Sequence, residues 1–384
     1  MAIMMADLET MLDQFKGPGL VVSCYADLSA RPGIPFPWPG PFKLKAAAIK
    51  KLLAEDAGAS LQFDDDFKAI GRAFGAEEAI HARGMAVFSA RERGFFKAIP
   101  LDVPLMDDLV VDQSPYLVPL LQLLFRQKEY LVVLSDTHRG RLYAAAPGGV
   151  RLLRMIEEAV PAHQHSAGEC WGTQQATIAR HRLDRILHFQ KLLADMIDMV
   201  QAETHFQGVI LFGEHETVEH LRKHLPARLA DRVVHEGRLE WTEDATEIAA
   251  ELSPILAELE REEESATVQG LAKRLRDGGG VACGTAAVLE ALYTGTVGPR
   301  GHGYLVVGPD PRELVSRCTA CRSLHVDMAK ACPRCQAPCV EANLWEELLL
   351  FALRHDISVR CVKANETISL CDGVAAFLPG VRGS

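Results

Sequence analysis

The sequence predicts an α/β fold divided into several domains, and three observations lead to this prediction. Short apolar runs such as those at 84–90 and 208–213 are typical of buried strands, and stretches of helical periodicity lie between them. The 384 residues exceed the usual size of a single domain. Hydrophobic residues make up 48% of the chain and charged residues 24%, which is the composition of an ordered globular protein.

The first predicted domain covers residues 1–126. Its proline-rich segment 32–41 excludes helix and central strand, so we expect a stiff, extended excursion there. Residues 42–82 have a helical pattern with expected breaks at Gly58 and Gly75. The strands of this domain are predicted at 20–29, 84–90 and 94–101.

The second predicted domain covers residues 127–264. A polar loop is expected over about 161–175, followed by an amphipathic helix from about 176 to 202 whose apolar positions recur at helical spacing. An acidic helix is predicted from 243 to about 276, and its charged run is typical of a solvated face. The strands of this domain are predicted at 129–136, 140–146, 208–213 and 232–237.

The third predicted domain covers residues 265–384. Helices alternate with strands in this part of the sequence, which is typical of a small α/β sandwich. The helices are predicted at 284–295 and 343–356, and the strands at 304–308 and 357–363.

A cysteine-rich insert at 315–340 interrupts this last domain. Two C-x2-C pairs are separated by ten residues, and such pairs place four thiolates around one tetrahedral zinc ion. With four protein ligands no position remains for water, so the predicted zinc is structural. Cys339 and His325 lie nearby, but neither fits the ligand spacing better. The predicted ligands are Cys318, Cys321, Cys332 and Cys335.

The other features of the composition point to a cytoplasmic protein. The N-terminus lacks the pattern of a signal peptide, and no stretch reaches the roughly 18 apolar residues that a membrane span needs. In a reducing compartment we expect the ten cysteines to be metal ligands or buried thiols and not disulfides. Cys24, Cys361 and Cys371 lie in or beside strand-like segments and are expected to fill the core. The net charge of −10 argues against a non-specific nucleic-acid coat protein.

The segment 151–191 is locally basic within this acidic chain. It carries six Lys or Arg residues against four acidic ones, and a small polar loop at 166–177 precedes an arginine-rich helix. Such a loop, followed by a positively charged helix, suits contact with RNA phosphates. The alternative is a mobile loop over an ordinary charged helix. The predicted RNA-contacting residues are Trp171, Gly172, Thr173, Gln174, Gln175, Arg180, Arg182 and Arg185.

Several motifs, taken in order along the chain, resemble a known family. They are VVSCYADLSA and FFKAIPL in the first domain, the Gly/Gln loop before the basic helix, GTAAVLEALYTGTV with YLVVG, the CxxC and CPRC pairs, and the closing DGVAAFLPG. The chain resembles the bacterial branch of the archaeo-eukaryotic class-1 peptide-chain release factor superfamily, which includes Balon-like ribosome-binding factors and is related to Pelota. The resemblance covers nearly the whole chain and is most specific in the last domain.

The resemblance implies a three-domain, release-factor-like architecture. The first domain would face the decoding centre and the second would reach toward the peptidyl-transferase centre. The third would be similar to kink-turn-binding ribosomal proteins and would carry the zinc ribbon insert. The implied partners of this monomeric protein are the ribosomal A site with its rRNA, and a translational GTPase such as elongation factor Tu.

Two departures from the family pattern bear on activity. Release factors that hydrolyse peptidyl-tRNA carry Gly-Gly-Gln, whereas this chain has Gly172-Thr173-Gln174 followed by Gln175. Glycine adopts backbone conformations that a β-branched residue does not. The stop-codon motif Asn-Ile-Lys-Ser has only an ordinary helical counterpart, at residues 49–51.

Three functions remain open at the level of sequence. The first is a ribosomal A-site binder that acts in hibernation or rescue without hydrolysing peptidyl-tRNA. The second is a peptidyl-tRNA hydrolase that uses Gln174 or Gln175. The third is a nuclease or other hydrolase of the middle domain, for which the candidate residues near strand ends are Asp136, His138, Glu214 and His215.

Overall fold

The computed structural model defines two compact units. Residues 1–126 and 262–384 form one unit, and residues 127–261 form the other. The fold is mixed α/β with several sheets, as the sequence predicts, while the division into three domains stays a prediction. The described residues are 8, 10–11, 19–29, 36–126, 128–146, 148–158, 173–204, 206–242, 244–299, 303–310 and 312–379, without the side chains of 78 and 173–183.

Four antiparallel strands form the first sheet of the first unit, in the order β3-β2-β1-β4. The first three strands confirm the sequence predictions, and β4 is an addition that the sequence pattern does not indicate. The strands are β1 (Val21–Asp27), β2 (Gly84–Ala90), β3 (Phe95–Leu101) and β4 (Asp108–Asp112).

The helical segment after β1 divides at a different place from the one predicted. Gly58 lies inside the second helix and does not break it, because Asp56 caps that helix by accepting a hydrogen bond from the backbone nitrogen of Ala59 at 3.0 Å. The described part of the proline-rich segment is not an extended excursion. Its Trp38 stacks on Phe74, with ring centroids 5.4 Å apart, so the segment folds back onto the core. The helices are α1 (Lys43–Leu52), α2 (Ala57–Ala73), α3 (Glu77–His81) and α4 (Val118–Arg126).

The second unit contains a five-stranded sheet in the order β7-β6-β5-β8-β9. Strands β5, β8 and β9 are parallel, and the β5–β6 and β6–β7 pairs are antiparallel. The strands are β5 (Tyr130–Ser135), β6 (Arg139–Ala146), β7 (Gly149–Glu157), β8 (Val209–Gly213) and β9 (Val233–Gly237).

Long helices supply apolar side chains to both faces of this sheet. Helix α5 (Thr173–Glu203) places Phe189 and Leu193 in the core of one face, and α8 (Ala245–Asp277) places Ile248 in the core of the other. Both helices confirm predictions from periodicity and charge pattern. The shorter helices between them are α6 (His215–His224) and α7 (Ala227–Ala230).

The C-terminal part of the first unit contains a second sheet, in the order β10-β16-β11-β15, and a small sheet in the order β13-β12-β14. The strands are β10 (Val281–Cys283), β11 (Tyr304–Val307), β12 (Leu314–Cys318), β13 (Leu324–His325), β14 (Cys339–Asn343), β15 (Val359–Cys361) and β16 (Val374–Phe377). The helices are α9 (Thr285–Tyr293), α10 (Leu344–Arg354) and α11 (Glu366–Ser369).

One apolar cluster connects the two large sheets of the first unit. It contains Phe88 of the first sheet, Leu117 beside α4, and Trp345 of α10, all completely or almost completely buried. Because the same core includes residues near both ends of the sequence, these two parts of the chain stabilise one another.

The cysteines do not all behave as the composition predicts. Cys283 and Cys371 form a disulfide that joins the end of β10 to the turn before β16, so the expectation that no disulfide forms is wrong. Cys24 is a buried free thiol in the core, as expected, and Cys361 is half-buried. The two bonded cysteines lie 88 positions apart in sequence, which is why local pattern did not pair them.

Candidate functional site

The four cysteines of the C-terminal insert come together as predicted. Their sulfur atoms all lie within 4.8 Å of one another. The Sγ atoms of Cys318 and Cys335 are 3.4 Å apart, and those of Cys321 and Cys332 are 3.7 Å apart. A zinc–sulfur bond of about 2.3 Å implies tetrahedral edges of about 3.8 Å, so the cluster has the size that a four-thiolate zinc site needs.

Tight turns at the end of β12 and before β14 build this cluster. Each C-x2-C turn points backbone N–H groups at its first sulfur: those of Ala320 and Cys321 at Cys318, and that of Arg334 at Cys332, each at 3.4 Å. In each pair the first cysteine is buried and the second is exposed. Backbone donors of this kind stabilise thiolates, which are the form of cysteine that binds metal.

Two further polar residues lie against the sulfur atoms. The hydroxyl of Ser323 lies within hydrogen-bonding distance of two sulfurs and of the His325 ring. Hydrogen bonds, of which that of Ser323 has the largest effect, lower the pKa of Cys332 to about 5, and hydrogen bonding by Ser323 also lowers the pKa of Cys321. His325, which the sequence offers as a substitute ligand, lies outside the four-sulfur group, and so does Cys339. Sequence reasoning passed over Ser323, although a hydroxyl two residues after Cys321 is a signal for it.

Tyr293, the last residue of α9, anchors the insert to the rest of the unit. Its hydroxyl accepts a hydrogen bond from the backbone nitrogen of Leu324, and its ring lies edge-on to Phe351 of α10. The guanidinium of Arg334 lies 5.6 Å from the centre of the same ring. The position of the cysteine turns therefore depends on packing outside the insert.

The predicted RNA-contacting loop differs from the structure at its C-terminal end. Helix α5 begins at Thr173, so Thr173, Gln174 and Gln175 form its first turn and not a loop. Trp171 and Gly172 lie outside the described residues. The first turn of α5 contains no acidic residue, and its backbone N–H groups have no partner within the helix.

The predicted arginines all lie on α5. Arg180 and Arg182 belong to the part of the helix whose backbone alone is described, and Arg185 is exposed. Part of the local positive charge is neutralised, because the guanidinium of Arg154 lies 3.5 Å from the carboxylate of Glu203. The exposed positive charge in the described part is therefore smaller than the sequence count implies.

Two of the candidate hydrolase residues, Asp136 and Glu214, make local contacts. One carboxylate oxygen of Asp136 accepts hydrogen bonds from the backbone nitrogens of His138 and Arg139, and the other accepts two from the Arg139 guanidinium. Although burial acts to raise the pKa of Asp136, these bonds lower it on balance. Glu214 is exposed and pairs with Arg238 at 2.9 Å. Asp136 thus closes the β5–β6 turn, as a loop residue does.

Among the described residues, no helix is both long and apolar enough to cross a membrane.

Comparison with known proteins agrees with the resemblance seen in the motifs. A family model within the archaeo-eukaryotic release factor superfamily matches the middle part of the chain, in agreement with the superfamily prediction. The matching model is that of bacterial archaeo-eukaryotic release factor family 10, and the match covers residues 115–264. No curated protein is similar to this chain.

Several solved structures are similar to this chain at low sequence identity. The archaeal translation termination factor aRF1 is 14% identical, with a TM-score of 0.27, and the match covers 98% of this chain and 97% of that one. Pelota of Archaeoglobus fulgidus is 13% identical, with a TM-score of 0.31 and coverages of 78% and 80%. Dom34 of S. cerevisiae is 11% identical, with a TM-score of 0.39 and coverages of 78% and 80%.

Proposed function

We propose that this protein binds the ribosomal A site in hibernation or rescue and does not hydrolyse peptidyl-tRNA. The observation that carries the proposal is the position of Thr173, Gln174 and Gln175 in the first turn of α5, inside the segment that the release factor family model matches. The family gives the ribosome as the target. The helical first turn, together with Thr173 in place of glycine, argues against catalysis.

The start of α5 suits contact with RNA phosphates. A helix N-terminus presents unpaired N–H groups and a partial positive charge, and this one has no acidic residue in its first turn. Gln174 and Gln175 add amide groups that donate and accept hydrogen bonds. Arg180, Arg182 and Arg185 follow within four turns and supply charge for a phosphate backbone.

The metal centre has a structural role in this proposal. Cys318, Cys321, Cys332 and Cys335 would hold zinc with all four positions filled by sulfur, so the ion supplies folding energy to the insert and no catalysis. The C-terminal domain with its ordered insert would serve as a docking surface for a translational GTPase such as elongation factor Tu. The protein would act as a cytoplasmic monomer.

Co-sedimentation with purified ribosomes tests the proposal. We expect the protein to pellet with vacant ribosomes and to be displaced when aminoacyl-tRNA fills the A site. Imaging of the complex would then show which domain faces the decoding centre. Protein that stays in the supernatant at low and moderate salt, with ribosomes both vacant and filled, would refute the proposal.

A further inference from the structure

We propose that Ser323 and His325 form a hydrogen-bonded pair that positions the thiolates of the cysteine centre and sets its affinity for the metal. Neither residue is a ligand. The inference rests on the zinc site of the proposed function and deepens it by naming the residues that control how tightly the site holds its ion.

Ser323 bridges the two C-x2-C pairs. Its Oγ lies 3.1 Å from Sγ of Cys321, in the first pair, and 3.2 Å from Sγ of Cys332, in the second. The side chain is 2% exposed, so water does not compete for these contacts. The hydroxyl thus lies between one sulfur from each turn and can donate its single proton to either of them.

His325 determines which way the hydroxyl points. Its Nε2 lies 2.9 Å from Oγ of Ser323 and 3.5 Å from Sγ of Cys332. A serine hydroxyl has one proton and two lone pairs. When His325 carries its proton on Nε2 and donates it to Oγ, the serine proton is left to be donated to a thiolate. The order of donation is therefore imidazole to hydroxyl to sulfur.

The two residues act from outside the ligand set. The four sulfurs alone lie within 4.8 Å of one another, and His325 does not belong to that group. Cys318 already has two backbone donors, from Ala320 and Cys321, and does not need Ser323. Hydrogen-bond partners behind metal ligands orient those ligands, and their loss typically weakens metal affinity by about 10–100-fold.

The test compares Ser323→Ala with Ser316→Ala in the full chain. Ser316 lies in the same small sheet, is 3% exposed, and donates one hydrogen bond to the backbone oxygen of Asp327 at 3.0 Å. Ser316→Ala therefore serves as a matched control, because it removes one buried hydroxyl that lies away from the sulfurs. Zinc affinity is measured by competition with a chromophoric chelator, and Co²⁺ replaces zinc to give a thiolate-to-metal charge-transfer band.

We expect Ser323→Ala to lower zinc affinity by about 10–100-fold. We also expect it to shift the Co²⁺ charge-transfer band to lower energy, because a thiolate without its hydrogen bond is a stronger electron donor. His325→Ala should produce the same two changes to a smaller degree. Ser316→Ala should change neither, and Ser323→Thr, which keeps the hydroxyl, should recover most of the affinity and the band position.

The outcomes separate this inference from the zinc assignment itself. If the wild-type protein binds neither zinc nor Co²⁺, the proposed metal centre fails. If the wild type binds one ion but Ser323→Ala matches it in affinity and spectrum, the zinc site stands and the role of Ser323 is refuted. If Ser323→Ala disturbs the fold, Ser323→Thr decides: a wild-type spectrum supports the inference, and an alanine-like spectrum overturns it.

Discussion

A carboxyl oxygen of Glu346 accepts a hydrogen bond from the backbone nitrogen of Leu117, with the two atoms 2.5 Å apart across 229 positions of sequence. Leu117 directly precedes α4, so the bond satisfies one of the N–H groups that every helix start leaves without a partner. Both residues are buried in the core that joins the two large sheets of the first unit. This polar contact therefore ties α4 to α10.

The burial of Glu346 makes the stability of the first unit depend on pH. Burial, together with the carboxylates of Glu347, Asp310 and Asp112, raises the pKa of Glu346 to about 8, although the hydrogen bond from Leu117 acts to lower it. An unfolded glutamate titrates near about pH 4.3. Between these values the folded protein holds a proton that the unfolded chain has lost, so the unfolding free energy falls as pH rises and the contribution is gone above the folded pKa.

Glu346→Gln isolates that effect, because glutamine keeps an oxygen that accepts from Leu117 but does not titrate. We expect urea midpoints of the wild type to decrease from pH 5 to pH 9 more steeply than those of the variant. Glu290→Gln, on the exposed surface of α9, serves as the control and should follow the wild type. Parallel profiles for all three proteins would contradict the prediction.

Elements with a clean local signal were predictable from sequence. The buried strands β2 and β8 are short apolar runs, and α5 follows a regular apolar stripe. Strand β7 was missed because a register shift opposite Leu142 and Tyr143 breaks its alternation: Val150 packs on one face of the sheet, and Ile156 on the other.

Features that depend on distant partners were not predictable. The spacing of the four cysteines lies within one segment of the sequence, so their cluster was predicted, but the bond between Glu346 and Leu117 exists only once the two sheets share a core. The pairing of Cys283 with Cys371 likewise depends on the antiparallel pairing of β10 with β16. The predicted helix break at Gly58 was wrong because Asp56, two positions earlier, caps α2 and determines where that helix begins.

Loss of one zinc ligand should disorder the insert and leave the remaining domains folded. In Cys332→Ser the buried sulfur is replaced by a hydroxyl that binds zinc poorly, so the protein should lose its zinc. Hydrogen exchange should then increase in residues 315–340 and stay unchanged in the second unit. Cys339→Ser is the matched control, since Cys339 lies beside the cluster but outside it, and it should keep one zinc per chain. Full zinc content in Cys332→Ser would refute this.

Reversing the charge of two positions of α5, from arginine to glutamate, should weaken ribosome binding in a salt-dependent way. If Arg180 and Arg185 each contact a phosphate, Arg180→Glu with Arg185→Glu removes two counterion-releasing contacts. The slope of log affinity against log salt should then become shallower by about 1.4–1.8. The control is Lys273→Glu with Arg276→Glu, which makes the same charge change at exposed positions of α8. Equal slopes for the two double variants would exclude a specific role for α5.

The disulfide should contribute to the stability of the first unit. In the chain-entropy model, closing a loop of 88 residues stabilises the folded state by about 4–5 kcal/mol, and measured values for disulfides are typically about 2–4 kcal/mol. We expect Cys283→Ala with Cys371→Ala to lower the unfolding free energy by about 2–4 kcal/mol under oxidising conditions. With dithiothreitol present, wild type and variant should become similar. A difference that persists unchanged after reduction would mean that packing, and not the bond, is responsible.

Peptide release is the activity that most sharply separates the proposed function from its alternative. Hydrolysis in the resembled family depends on consecutive glycines that allow a backbone which other residues adopt only with strain. Here Thr173, Gln174 and Gln175 lie in a helical first turn. We therefore expect no release of labelled peptide above background in single-turnover reactions with ribosomes whose A site is vacant.

The control for that measurement is ribosome binding, because a protein that does not bind the ribosome also releases no peptide. The wild type and Gln174→Ala should both co-sediment with the same ribosomes, since the amide of Gln175 and the N–H groups of the first turn of α5 remain in the variant. Thr173→Gly alone should not create activity, because the helical hydrogen bonds of α5 continue to hold this turn. Release by the wild type that Gln174→Ala abolishes while binding persists would establish the hydrolase in place of the non-catalytic binder.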